Sequence, residues 1–456
     1  MLDRLKWLKH FFLEIGKEEP EVGRYFIYMY PPLTYWGPQV DSVVFSEHRS
    51  ATKKVSTEPF LIYTHIPFCQ KHCEFCYYAV TTNSTAERMS QYVSDLIGEM
   101  KLYSDLGFEK RKASVVYIGG GTPSHLSENQ IVEVLKGHHS HFDLSEIEEF
   151  TFECAPRSVT EEKIRLLKDH GVTRGSLGIQ QYDDSVLAQN GRVHVTKEVD
   201  RALEIVAKFG FQQLNVDLIS GLVGQSRESF ERSVLGLARR WGSVLTGVTI
   251  YPMQVLSHSP MAFRKGLEGK SSVGETANWP EKRYRLEQGF NILADFGFQR
   301  CTPYSAVKSR EEHYSRYQRQ QYHGRDQIGL GTSALGHVQG LHYQNVTNSV
   351  ERYGEAIRLG RFPVVRSYNL SLEEQMIREL VLQLRLGKVS QNYFQEKYQV
   401  DLLRIFAEEI RGLQEGGWLY QQGDWLCLTP DGISRVDRLI AVFFHQNHRD
   451  ALLAAW

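Results

Sequence analysis

The sequence predicts an α/β fold: a parallel sheet built from strand–helix units, followed by a smaller C-terminal α+β unit with the pattern of a winged helix. Three observations predict it. Between residues 59 and 305, six short β-rich runs alternate with longer helical patterns. Alternation of that kind gives a parallel sheet joined by crossover helices. From Ser371 onward the order changes to helix, helix, short hairpin and final helix. Periodicity alone leaves open whether the sheet curls into a partial barrel. In either form, ligands belong at the carboxyl ends of the strands.

The elements follow in chain order. Residues 1–58 form an N-terminal extension. Its start, "MLDRLKWLKHFFLEIG", carries Leu2, Leu5, Leu8, Phe12 and Ile15 at helical spacing, which predicts a docked amphipathic helix. "RYFIYMYPPLTYW" then gathers aromatic residues and two prolines, suited either to line a pocket or simply to pack. The core spans 59–305, with strands predicted at 60–66, 113–120, 149–155, 173–180, 213–220 and 246–252. Helices are predicted at 85–106, 127–137, 160–170, 195–209 and 225–240; the second opens with the capping pattern Ser127-x-x-Gln130. Residues 306–370, polar, aromatic and then Gly-rich, read as a connector closing the open side. Residues 371–456 form the cap, opened by the capping box Ser371-x-x-Glu374.

Composition narrows the function. A chain of 456 residues exceeds the usual reach of one hydrophobic core. Its formal net charge of -1 supplies no global field for nucleic acid or an anionic membrane, so a small-molecule substrate is expected. No apolar run approaches the roughly 20 residues of a spanning helix. Of the six cysteines, Cys69, Cys73 and Cys76 stand together as C-x-x-x-C-x-x-C, which points to metal binding in a reducing, cytoplasmic setting. A monomer is expected.

The trio follows the first strand, so its thiols sit on a loop able to wrap an inorganic group. Thiolates select soft metals and iron–sulfur clusters, which usually take four cysteines. Three leave one iron of a four-iron cluster open to a small chelating ligand; zinc, with His65 or His72 as a further ligand, stays as an alternative. Cys154, Cys301 and Cys427 read as small packed hydrophobes. In "IGGGTPS" the glycines permit close backbone approach, and bare N–H groups there suit a carboxylate. The Walker lysine and the G-x-G-x-x-G spacing are absent. Asp217 in "NVDLI", buried in a strand, calls for a ligand or for Arg192 as partner.

At these residues the chain resembles a known family. C-x-x-x-C-x-Phe-C after a strand resembles the radical S-adenosylmethionine (SAM) superfamily, and "YTHIPFC" with "IGGGTPS" is similar to its branch of oxygen-independent coproporphyrinogen III oxidases and their relatives. The resemblance runs from about 59 to 260, and more faintly through 325–345 and the C-terminal unit. It implies a partial (β/α)6 barrel whose cap covers the mouth, a [4Fe–4S] cluster on Cys69, Cys73 and Cys76, and SAM split to methionine and a 5′-deoxyadenosyl radical. Tyr63, Gly120 and Glu153 correspond to contacts of that SAM. Phe75, Gly121, Thr122, Gln180, Arg192, Asp217 and Tyr251 correspond to contacts of a second SAM found in some members, and Leu335 falls in the fainter part of the match. Asp217 and Tyr251 are also the catalytic candidates. An electron donor such as flavodoxin or ferredoxin, and a partner methyltransferase, are implied.

The departures bear on the reaction. Where the oxidases end their motif C-G-C, this chain has Tyr78. The H-N-x-x-Y-W stretch of the heme-chaperone relatives reads His313-Tyr314-Ser315-Arg316-Tyr317-Gln318 here, and Val223 stands at a usual proline. The second-site positions persist while the oxidase ending does not. The expected reaction is therefore transfer of a methyl or methylene group from the second SAM to an unsaturated carbon, giving methylation or cyclopropanation. Decarboxylation of coproporphyrinogen III and heme delivery are the alternatives; RNA modification is disfavoured by the charge balance.

Overall fold

The structure, a computed structural model, describes residues 2–15, 29–38, 56–254 and 276–449. Among the described residues thirteen strands form one sheet: β1 (Gly37–Pro38), β2 (Phe60–Ile66), β3 (Ala113–Gly120), β4 (Glu149–Cys154), β5 (Arg174–Gln180), β6 (Gln213–Ser220), β7 (Gly247–Pro252), β8 (Gln299–Arg300), β9 (Ser305–Val307), β10 (Gln327–Leu330), β11 (Leu335–Val338), β12 (Leu341–Asn345) and β13 (Val364–Asn369). The six predicted core strands are β2 to β7, paired in parallel in sequence order. They are buried on both faces, as parallel strands under crossover helices must be.

Residues 306–370 do more than connect. β10 lies parallel to β2 as a seventh parallel strand, and β11, β12, β13 and β1 continue the sheet antiparallel beyond it. "QIGL" and "LGHV" are too short and Gly-rich for strand periodicity to register. Pairing with an existing edge supplies the hydrogen bonds that local propensity does not. Tyr117 of β3, Glu153 of β4, Arg174 of β5, Asp217 of β6 and Thr249 of β7 all line one cleft, so the sheet curls around it as a partial barrel. On the outer face the crossover helices are capped by Thr85, Ser127, Thr160 and Ser226 and bury their apolar stripes in one large core.

The C-terminal unit is the expected winged-helix pattern. Its helix Leu372–Leu384 opens with the Ser371/Glu374 capping box and leads to the antiparallel strands β14 (Lys388–Ser390), β15 (Leu419–Gln422) and β16 (Trp425–Leu428). A second core lies within this unit, and Leu8, Phe11 and Ile15 of the N-terminal helix Leu2–Ile15 belong to it. Arg438 fixes that helix by donating to the Glu14 and Ile15 carbonyls. The aromatic stretch before β2 packs rather than lining the cleft. Tyr30 is buried in the second core and Trp36 stacks on His342 with ring centroids 4.9 Å apart; residues 24–28 of that stretch lie outside the described residues. Among the described residues no helix is long and apolar enough to cross a membrane.

One buried acid clamps the sheet to its first crossover helix. Glu99, on the helix Ala86–Asp105, accepts hydrogen bonds from Gly331 N (2.6 Å), Asn345 Nδ2 (2.8 Å) and the Tyr353 hydroxyl (2.7 Å). Burial pushes its carboxyl up to about 7, against about 4.3 in an unfolded chain. A group raised in the folded state stabilises fully below its unfolded value and loses that contribution as pH rises through the folded one. The stability difference between wild type and Glu99→Gln, read by urea unfolding, should therefore shrink as pH rises from about 4 to 7. At its low-pH end Glu99→Gln should cost about 1–3 kcal/mol, since its amide would face donors.

Candidate active site

The cysteine loop is built by main-chain bonds. After β2 the chain runs through Phe68, bridged to Thr81; Cys69 N donates to the Thr81 carbonyl at 3.1 Å, and Thr81 N to the Pro67 carbonyl at 2.7 Å. Cys76 N donates to the Cys73 carbonyl at 3.1 Å, and His72 Nε2 reaches the Cys76 carbonyl at 3.1 Å. His72 is thereby engaged in holding the loop. Cys69, Cys73 and Cys76 are free, half-buried thiols. Burial pushes Cys76 up to about 12, and burial also raises Cys69, whose Sγ lies 3.3 Å from Thr122 Oγ1.

The glycine loop lies against this one because Ile66 is in register with Gly120. A Cβ at Gly121 would stand 2.8 Å from the Pro67 carbonyl oxygen and 3.0 Å from Cys69 Sγ; Gly120 has φ +117°. The N–H groups here are not bare, however. Gly120 N donates to Glu153 Oε2 at 3.2 Å, Gly121 N to the Ile66 carbonyl at 2.8 Å and Thr122 N to the Phe68 carbonyl at 2.9 Å. The loop's first task is to seat Glu153 and the cysteine loop.

The cleft floor carries charge. Glu153 Oε1 accepts the Tyr117 hydroxyl at 2.6 Å, and burial, then the charge of Asp217, pushes the Glu153 carboxyl up to about 7. Asp217 accepts from Asn215 Nδ2 at 3.0 Å and from the Ser176 hydroxyl at 3.3 Å, and burial pushes it up to about 6 against the pull of Arg174. Arg174 is itself buried, and its Nη1 has no hydrogen-bond partner among the described residues. Lys71, Arg157 and Lys163 also line the cleft, Arg157 paired with Glu198 at 3.1 Å and Lys163 Nζ donating to the Ser124 carbonyl at 2.9 Å. Tyr78 and Tyr251 stand 55% and 40% exposed at the same cleft, whose volume is about 660 Å³.

Cys69, Cys73, Cys76, Phe75, Gly120, Gly121, Thr122, Glu153, Gln180, Arg192, Asp217 and Tyr251 all line this single cleft. Two predicted residues stand apart. Tyr63 lies outside the lining, its hydroxyl 3.1 Å from His65 Nδ1 and its ring packed on Tyr117 and Tyr317. Leu335 starts β11 and pairs with Gln344. Arg192 is not the partner of Asp217: it donates to Cys73 Sγ at 3.2 Å and to the Gly178 carbonyl at 2.7 Å. Nor does the cap reach the cleft among the described residues; it seats on the flank, where the Tyr304 hydroxyl bonds the Asp437 carboxylate.

Sequence reasoning missed Arg174, Ser176, Tyr117 and Asn215. Their signal was alternation: Arg174, Ser176, Gly178 and Gln180 occupy one face of β5, and Asn215 and Asp217 one face of β6. Gln180 departs from that extended path, with φ +65°, at a break in the β5–β6 register.

The donor set fits a [4Fe–4S] cluster with SAM. Three soft donors share one loop and all line the cleft. The Arg174 Nη1 and the Arg192 Nε, buried without hydrogen-bond partners among the described residues, are suited to a carboxylate.

Comparison with known proteins bears on most of the chain. The radical SAM superfamily matches residues 63–235, and the HemN C-terminal domain matches residues 370–434. A heme chaperone, HemW, of Lactococcus lactis is 29% identical over 383 residues, covering 82% of this chain and 94% of its own. An oxygen-independent coproporphyrinogen III oxidase of Helicobacter pylori is 27% identical over 386 residues, covering 82% of each. The solved coproporphyrinogen III oxidase HemN of Escherichia coli, described as a radical SAM enzyme, superposes with a TM-score of 0.79 over 92% of this chain and 96% of that one; at 20% identity this is a likeness of fold.

Gly121 tests the packing of the two loops. Gly121→Ala drives a methyl group into the Pro67 carbonyl and Cys69 Sγ, at a cost of about 1–3 kcal/mol. Iron and sulfide counts after anaerobic reconstitution should fall at least severalfold below wild type.

Proposed function

The chain belongs to the radical SAM superfamily, in its HemN-like branch, and from that premise we propose that it oxidises propionate-bearing side chains of a tetrapyrrole, as in the coproporphyrinogen III oxidase reaction. The charge layout of the cleft carries the reading. A substrate with several carboxylates meets Lys71, Arg157 and Lys163 in the cleft lining, while the floor offers the acids Glu153 and Asp217 around Arg174. The aromatic faces of Tyr77, Tyr78 and Tyr251 suit the macrocycle.

A [4Fe–4S] cluster held by the three cysteines would, with SAM, supply radical chemistry. The residues of this chain do the rest. Cys69, Cys73 and Cys76 hold the cluster, with a small reductant protein such as flavodoxin or ferredoxin as electron source. Glu153 would accept a hydrogen bond from the SAM amino group, and Arg174 Nη1 would receive a carboxylate. Asp217, with both oxygens oriented by Asn215 and Ser176 and its carboxyl near 6, switches between donor and acceptor close to neutrality and orients the substrate. Tyr251 shields the reacting carbon at the mouth.

Methyl or methylene transfer gives way in this reading. Phe75, Thr122 and Gln180, which correspond to contacts of a second SAM, do line the cleft. The relatives named above, though, are named for coproporphyrinogen oxidation or heme delivery. A second reading, heme delivery, is favoured by one observation: Tyr78, an aromatic ring lining the cleft, stands where the oxidases have a cysteine.

Incubated anaerobically with coproporphyrinogen III, SAM and a reductant, the reconstituted protein should form 5′-deoxyadenosine and protoporphyrinogen. Arg174→Gln should lower product formation at least tenfold with its iron content intact. A stoichiometric heme complex with no 5′-deoxyadenosine supports delivery instead, and label passing from methyl-labelled SAM into a product restores methyl transfer. Glu153 adds a pH test. Its carboxyl, at about 7, ionises as pH rises, so SAM affinity measured by calorimetry should tighten from pH 6 to 8 in wild type. In Glu153→Gln the change with pH should shrink to that of the SAM amine itself, and affinity at pH 8 should be about tenfold weaker, a loss of about 1.4 kcal/mol.

A further inference from the structure

We propose that Arg192 sets the reduction potential of the cluster through Cys73, and that His194 is the positioning residue that holds Arg192 in place. This rests on the reading that Cys69, Cys73 and Cys76 carry the cluster. The geometry is a chain of directional bonds. Arg192 Nη1 donates to Cys73 Sγ at 3.2 Å, while Nη2 donates to the Gly178 carbonyl at 2.7 Å and lies 3.3 Å from His194 Nδ1. His194 Nε2 lies 3.0 Å from the Ile179 carbonyl. A carbonyl only accepts, so Nε2 carries the ring proton and Nδ1 is left as an acceptor for Arg192. The tautomer that serves Arg192 is thus imposed from the β5 backbone.

The surroundings hold this chain rigid. His194 is buried, 2% exposed, and burial lowers its pKa to about 3, which keeps the ring neutral beside the guanidinium. The segment carrying both residues is joined to the cysteine loop by Glu74 N, which donates to the Asn190 carbonyl at 3.4 Å. Asn190 in turn bonds the carbonyls of Val186 and Val223 through Nδ2.

A cationic donor on a cluster sulfur favours the more negative, reduced state. Hydrogen bonds to the sulfurs and local charge are among the factors that set iron–sulfur potentials. The couple concerned takes up one electron from an external reductant, with no bond made or broken in the protein. Arg192 therefore makes the cluster easier to reduce, and a displaced Arg192 makes it harder.

The test is an EPR-monitored, dye-mediated redox titration of the full chain, reconstituted anaerobically and without SAM, with iron counted for each variant. Arg192→Leu should lower the potential by about a tenfold change in the reduction equilibrium, about 59 mV for one electron. His194→Ala should lower it in the same direction, and His194→Asn, which keeps an acceptor near the Nδ1 position, should restore most of the wild-type value. Arg192→Leu/His194→Ala should titrate with Arg192→Leu alone. A His194→Ala variant with full iron content and wild-type potential overturns the proposal, as does a further drop in the double variant. Wild-type protein that assembles no four-iron cluster instead overturns the reading of the cysteines on which the proposal rests.

Discussion

The pairing of β2 with β3 is the constraint on which the rest of the site depends. Its parallel register sets Ile66 beside Gly120, and this alignment brings the cysteine loop over the glycine loop and Thr122 against Cys69, to which the β3–β4 pairing adds Glu153 on the Gly120 N–H. A slip of one residue would turn Tyr117 out of the cleft and exchange the two faces of the strand. Everything downstream is inherited from that register, because β4 to β7 add to the same edge in order.

Those later strands share a physical problem. Their outward faces are apolar and buried under helices, while their inward faces carry Glu153, Arg174, Asn215, Asp217 and Thr249. Buried polar groups are tolerated when each has a partner. Here Asn215 serves Asp217 and Thr249, and Ser176 serves Asp217, so the floor is a connected network. Arg174 keeps one nitrogen without a hydrogen-bond partner among the described residues, which marks where the network is open to a ligand.

Much of this was readable beforehand, for physical reasons. β2 to β7 announce themselves because each is a short β-rich run followed by a turn and a longer helical pattern, and Cys69, Cys73 and Cys76 because clustered thiols are rare. β10 and β11 were hidden because short Gly-rich strands owe their conformation to their neighbours. Arg174 was hidden by attention to Asp217: a buried acid invites a search for a partner, and Arg192 was the named candidate, yet Arg192 is engaged by Cys73 and Gly178. The direction of a side chain from a loop is a tertiary fact. So is the seat of the cap, which rests on contacts such as Asp437 with Tyr304 and Arg283 with the Ser434 carbonyl rather than on either segment's own pattern.

The docking of the first helix on the last unit has a consequence for biosynthesis. Leu8, Phe11 and Ile15 bury themselves among residues from Met376 to Phe444, so the helix leaves the ribosome long before its apolar stripe has anything to cover it. Contacts of such sequence separation form late. The strand–helix core can assemble during synthesis, but the opening segment must stay exposed until translation is nearly finished. That interval is when the nascent chain offers its greatest target to chaperones and proteases.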